Sequence, residues 1–190
     1  EQFGEIMWFY CSQNSYNIDK YVVYNYLENI WYYGSMNRTV WLDTHLRGAP
    51  YACSNDGYVY QHDVGADDGA TNPPSPIYAY IESADFDIDD GDKFSFIKRI
   101  IPDITFTNST TNNPKVLYTM KARNFPGSSF DQSNERTVER ESTMPVDSFT
   151  NQVWVRIRGR QAVLRVESNE VGVMWQLGAN RLDIRPDGRR

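Results

Sequence analysis

The chain has 190 residues, of which 40% are apolar, 23% charged and 14% aromatic, with 13 Tyr, 9 Phe and 5 Trp. Aromatic content this high excludes wholesale disorder. No run approaches the roughly 18 apolar residues of a membrane-spanning helix, and no basic-then-apolar leader opens the chain, so no membrane insertion is expected. The net charge of −6 conceals a division: residues 1–95 hold 15 acids against 4 bases, and residues 96–190 hold 10 acids against 15 bases.

Apolar residues alternate with period two along most of the chain, which predicts strands. The first run, residues 5–10, is aromatic-rich and closed by the polar cluster 12–15. Residues 21–27 and 30–33 follow, joined by a turn at Glu28-Asn29, and then residues 39–42. Residues 51–53 lead through Asn55-Asp56-Gly57 to residues 58–60. Short β-branched and aromatic runs separated by Asn, Asp and Gly predict an antiparallel meander with tight turns. Four such strands with a Trp/Tyr-rich third strand have the pattern of one β-propeller blade, with residues 51–62 beginning another. Blades bury their faces against neighbouring blades, so residues 1–65 are expected to be incomplete by themselves, completed by preceding sequence or else joined to the C-terminal domain or a partner chain.

Residues 66–76 hold three prolines and one glycine, and are expected to be a linker because proline cannot donate to a ladder. Strands resume over residues 77–88, 93–101 and 103–107, the last two read as one strand bent at Pro102. Residues 116–123 alternate well, with Val116, Tyr118, Met120 and Ala122 on one face. Residues 124–135 read as loop. Strands at 150–157, 161–167, 173–177 and 181–184 finish the series, with Gly159-Arg160 expected as a hairpin turn between two paired strands. The predicted fold class is all-β: incomplete β-propeller blades over 1–65, then an antiparallel β-sandwich over 77–190.

Chemistry-bearing motifs are few. Cys11 and Cys53 lie too far apart for a zinc or CxxC motif, leaving two buried thiols or one bridge. The run Asp85-Phe-Asp-Ile-Asp-Asp-Gly-Asp92 invites a calcium reading. Its sixth position is Asp90 and its twelfth Phe96, where an EF-hand loop wants Gly and Glu, so an alternating acidic edge strand is the simpler reading. His45 and His62 have no nucleophile elbow or HExxH motif beside them. No catalytic residue, cofactor or metal is expected. Arg156, Arg158 and Arg165 alternate with apolar residues and are expected to project from one side of paired strands. Such a stripe suits carboxylates at a subunit interface, plain solvent or nucleic-acid phosphates. The interface reading sets them against Asp85, Asp87 and Asp89.

The order of several longer words is more specific. Trp8-Phe-Tyr-Cys-Ser12, Asp19-Lys-Tyr-Val-Val-Tyr-Asn-Tyr-Leu-Glu-Asn29, Asn55-Asp-Gly-Tyr-Val-Tyr-Gln-His62, Ile101-Pro-Asp103, Gly159-Arg-Gln161, Trp175-Gln-Leu-Gly178 and Arg181-Leu-Asp-Ile-Arg-Pro-Asp-Gly-Arg-Arg190 follow one another. The chain resembles the C-terminal portion of tail nozzle, or packaged-DNA stabilisation (tail tubular), proteins of short-tailed bacteriophages. The resemblance implies a longer parent chain, in keeping with Glu1 at the first position. It also implies a structural, non-enzymatic role in the virion tail: a homo-oligomeric ring below the portal, touching other tail and portal-adaptor proteins. DNA would pass through the ring's lumen without sequence recognition. The alternative is a tail-associated module binding a host-surface glycan, with Trp31, Trp41, Trp154 or Trp175 as stacking platforms.

Overall fold

A computed structural model describes residues 3–44, 48–87, 91–128 and 140–188. Among them every regular element is a strand, the strands form several sheets, and none of the sheets closes into a barrel. The chain divides into two compact units, Glu1–Gly65 and Ala66–Arg190.

In the first unit, β1 (Glu5–Tyr10), β2 (Lys20–Asn25) and β3 (Ile30–Ser35) form one antiparallel meander. A second meander consists of β4 (Val40–Leu42), β5 (Tyr51–Cys53) and β6 (Val59–Gln61). The turns are chemically specified. The Asn25 side-chain oxygen accepts the Leu27 and Glu28 amides, and Asn29 takes φ 56°, a conformation asparagine tolerates. Asp56 accepts the Tyr58 amide, and Gly57 sits at φ 87°. The sequence pattern groups residues 39–42 with the three strands before them. The structure instead pairs Val40–Leu42 with β5, giving two sheets of three strands. Alternation marks a strand but does not choose its partner.

In the second unit, β7 (Asp67–Asp68) pairs with β8 (Ser75–Pro76), so residues 66–76 form a small hairpin rather than a bare linker. Both Asp67 carboxylate oxygens accept the Gly172 amide, tying the hairpin to its own unit. The remaining strands are β9 (Ala79–Glu82), β10 (Phe86–Asp87), β11 (Ser95–Ile101), β12 (Ile104–Thr105), β13 (Lys115–Arg123), β14 (Arg140–Asp147), β15 (Val153–Gly159), β16 (Gln161–Ser168), β17 (Gln176–Leu177) and β18 (Arg181–Pro186). A five-stranded sheet runs β10-β16-β13-β14, with β9 also on β16; a three-stranded sheet runs β15-β11-β18.

Four differences from the sequence reading have physical causes. Of the strand expected over 77–88, the described residues 77–87 do not form one strand: β9 and β10 pair with β16 at separate places, and Ser83 bonds Leu164 between them. The strand expected to bend at Pro102 ends there; β12 pairs with β17 in a separate ladder, because proline interrupts the donor series. β14 is additional to the expected strands. It carries Pro145 opposite Leu117 and tolerates it because β14 is the edge of its sheet. Gly159-Arg160 is not a hairpin turn. It carries the chain from one sheet to the other, since β15 pairs with β11 while β16 pairs with β13.

The two sheets share one apolar core. It contains Ile97 and Ile100 from β11, Val116, Tyr118 and Met120 from β13, Val146 from β14, Val153, Val155 and Ile157 from β15, and Val166 from β16. The buried apolar positions of β13 and β15 are those the alternation predicts; Thr119, on the other face of β13, is buried as well. The Tyr118 hydroxyl within this core is satisfied: it donates to Asn180 at 3.0 Å, and burial with Asp103 nearby pushes its pKa up to about 12.

Candidate interaction surfaces

The first unit is nearly coreless. Among its described apolar residues only Val23 and Ala52 are fully buried. Strand register places Ile6, Trp8 and Tyr10 of β1, Val22 and Tyr24 of β2, and Trp31 and Tyr33 of β3 on one face of the first sheet. That face is open: Trp31 is 62% exposed and Tyr33 75%. Its rings nevertheless order one another, with Trp31 stacked on Tyr24 at 4.6 Å and on Trp8 at 5.8 Å. The opposite face packs inward, where Phe9 meets Trp41 of β4 at 5.4 Å. Trp41 shares its face with Ala52 and Tyr60, leaving Val40, Leu42 and Val59 exposed on the far side of the second sheet. The unit is therefore two stacked sheets, each with an apolar outer face.

Between these sheets lies His62. Its Nε2 accepts the Arg38 Nε at 2.9 Å, its ring lies 4.7 Å from Trp41, and Arg38 also covers the Tyr60 ring. Burial and the Arg38 charge lower the imidazole pKa against the opposing pull of Asp63, consistent with a neutral acceptor. This histidine has a packing role. His45 lies outside the described residues.

The arginines named from the sequence do not share one side of paired strands, because the crossing at Gly159-Arg160 separates them. Arg156 and Arg158 belong to the three-stranded sheet and Arg165 to the five-stranded one. Arg165 is embedded in a network on β16: its Nη1 donates to Glu82 at 3.0 Å, its Nε to Glu167 at 2.7 Å and its Nη2 to the Tyr78 hydroxyl at 2.6 Å. The Tyr78 hydroxyl in turn donates to Glu167, and the guanidinium lies 4.0 Å from the Tyr80 ring centre. Burial opposes its charge, but the bonds to Glu167, Glu82 and Tyr78 outweigh it and raise its pKa. Arg158 pairs with Asp187, Asp85 pairs with Arg123, and Asp87 accepts the Gln161 amide at 2.7 Å. Asp89 lies outside the described residues. Arg156 is exposed and has no ion pair among the described residues.

Replacing Arg165 with methionine keeps the aliphatic bulk and leaves Glu82 and Glu167 facing one another. The expected cost is about 1–2 kcal/mol, since charge-assisted bonds are strong but these groups are partly solvated. Hydrogen bonds from Arg165 and Tyr78 hold the Glu167 carboxyl below its ordinary value of 4.5. Its contribution is thus present above that value and lost as pH falls through the lowered pKa. Urea unfolding at pH 7 and pH 3 should show the variant's deficit at pH 7 and a smaller one at pH 3.

Of the acidic run, Asp85 and Asp87 are used locally, by Arg123 and Gln161, and among the described residues no cluster of His, Cys, Asp or Glu could hold a metal ion. Cys11 is exposed and Cys53 half-buried, and both are free thiols. Of the tryptophans proposed as platforms, Trp31 and Trp154 are exposed, Trp41 is partly buried, and Trp175 packs on the core with its Nε1 donating to Ser168. Trp8 belongs with Trp31; the alternation Ile6, Trp8, Tyr10 is the signal that places it there. No protein-family model matches the chain, and no curated protein matches its sequence.

Proposed function

We propose that this chain is a structural, non-catalytic part of a short-tailed bacteriophage tail, contributing β-domains to a ring around the DNA channel. The single observation that supports it best is the first unit: two stacked three-stranded sheets whose outer faces are both apolar and open. That is the chemistry of interior propeller blades, which are buried only when a blade lies on either side. In this reading residues 1–65 are two blades completed by other sequence, and the two-sheet second unit is a β-sandwich. Ring contacts between copies would be heterologous, joining unlike faces, which lets a closed ring form. DNA in the lumen, the portal-side neighbours and location in the virion tail belong to the same reading.

The test is location and assembly together. Antibodies against this chain should label the tails of intact phage particles, and the double variant Trp8→Ser/Trp31→Ser in the full parent protein should lose most ring particles by negative-stain microscopy. Unlabelled particles, or undiminished rings in the variant, would overturn the proposal. The stacked Trp8–Trp31–Tyr24 face also favours a second reading, a glycan platform. Glycan-array binding that Trp31→Ala abolishes would select it.

A further inference from the structure

We propose that the outer face of the three-stranded sheet β15-β11-β18 binds the phosphodiester backbone of nucleic acid. In this sheet Ile97, Ile100, Val153, Ile157, Leu182 and Ile184 point into the core, so their alternates form the opposite face. That face carries Arg156 and Arg158 from β15, Lys98 and Arg99 from β11, and Arg181 and Arg185 from β18. Against these cations stand two carboxylates. Asp183 holds Arg99 at 3.2 Å and reaches Arg185 only at 4.0 Å, while Asp187 holds Arg158. Lys98, Arg156 and Arg181 have no carboxylate partner among the described residues. On a chain whose net charge is −6, this is a concentrated cationic surface.

Backbone geometry at its centre is a second, independent observation. The β11–β15 register steps from Ile97 opposite Ile157 to Arg99 opposite Trp154, so Val155 and Arg156 together face Lys98. The β11–β18 register shifts at the same place. Arg156 adopts φ 57°, which is unfavourable for a residue with a Cβ, yet its side chain gains no ion pair among the described residues. A bulge re-aims side chains, and here it holds an unneutralised arginine outward beside Lys98.

Nucleic acid fits this face better than an acidic protein does. Stable protein interfaces centre on buried apolar anchors, and the exposed large apolar residues on this face are Trp154 and Ile101. A phosphate backbone asks instead for spaced cations without a self-complementary set of carboxylates. Trp154, 47% exposed with the Lys98 ammonium 5.2 Å from its ring centre, adds a surface on which an unpaired base can stack. The proposal does not rest on the ring reading, because the face has the same charge in a single chain.

The experiment is fluorescence anisotropy with the full chain and two fluorescein-labelled probes, a 20-base-pair duplex and a 20-nucleotide single strand, titrated from 50 to 200 mM salt. Poly-L-glutamate serves as the competing polyanion. Salt-sensitive binding of either nucleic acid is expected, the duplex and single-strand arms reporting which form is preferred. Arg156→Gly relieves the strained backbone and should leave the melting temperature unchanged or higher, while weakening binding about threefold or more and making the salt slope shallower by about one. The quadruple variant Lys98→Gln/Arg156→Gly/Arg181→Gln/Arg185→Gln, which keeps the paired Arg99 and Arg158, should lose at least tenfold. Absence of binding at 50 mM salt, affinity unchanged in the folded quadruple variant, or tighter binding of poly-L-glutamate than of both nucleic acids would overturn the proposal.

Discussion

Truncating Ile97 to alanine is expected to destabilise the Ala66–Arg190 unit by about 2–5 kcal/mol, a large share of the stability of any small domain. Ile97 is 1% exposed and lies on β11, the central strand of its sheet, with Ile157 on one side and Ile184 on the other. The loss combines the transfer energy of the removed carbons with a cavity that strands pinned on both edges cannot collapse to fill. Leu42→Ala supplies the contrast. Leu42 is exposed on the outer face of its sheet, so its truncation should change the stability of the isolated chain by less than about 0.5 kcal/mol. Urea unfolding of both variants checks the pair; a cost for Leu42→Ala as large as that for Ile97→Ala would show that the outer face is already covered.

Gly159→Ala should cost about 1–3 kcal/mol, although it adds one methyl group and glycine-to-alanine changes in strands often stabilise. A Cβ at Gly159 would lie 2.8 Å from the Ala122 Cβ and 3.0 Å from the Arg123 carbonyl oxygen. Neither neighbour is the end of a flexible side chain. The Arg123 carbonyl is also fixed by the Arg160 amide at 2.9 Å, so relief would have to move the crossing between the sheets. A thermal melt reads the result directly. If alanine is accepted with an unchanged midpoint, the crossing is looser than its geometry implies. The double variant Gly159→Ala/Ala122→Gly should recover part of the loss, because it removes the nearer clash.

Strands and faces were readable from the sequence wherever one side meets the core. The alternation through Val116, Tyr118, Met120 and Ala122, and through Val153, Val155 and Ile157, reports burial directly, since a one-residue slip would turn every apolar group to solvent. β14 was harder, because Arg-Glu-Ser-Thr-Met-Pro-Val-Asp is mostly polar and contains a proline that an edge strand alone accepts. Partner choice was not readable. Gly159-Arg160 has the composition of a two-residue turn, and what makes it a crossing is the close approach of Ala122, 37 residues earlier in the sequence.

The candidate surfaces divide in the same way. The exposed aromatic face is written in the alternation of Ile6, Trp8 and Tyr10, but the stacking of Trp8 on Trp31 depends on a strand between them. The Arg165 network joins groups 83 residues apart, and no local pattern announces it. The bulge that turns Arg156 outward beside Lys98 is likewise a property of register, invisible to composition.

The interleaving of the two sheets also governs when the second unit can fold. β11 must wait for β15, which begins some 50 residues later, and for β18, which begins some 80 residues later; β9 must wait comparably long for β16. Few of the core's contacts are local, so loop-closure entropy is lost early and rewarded late. A nascent chain on the ribosome would therefore expose β11 unpartnered until most of the unit had been synthesised, whereas β13 can pair with β14, the next strand, much earlier; refolding followed by stopped-flow should fall in the slow, millisecond-to-second range of β-rich domains.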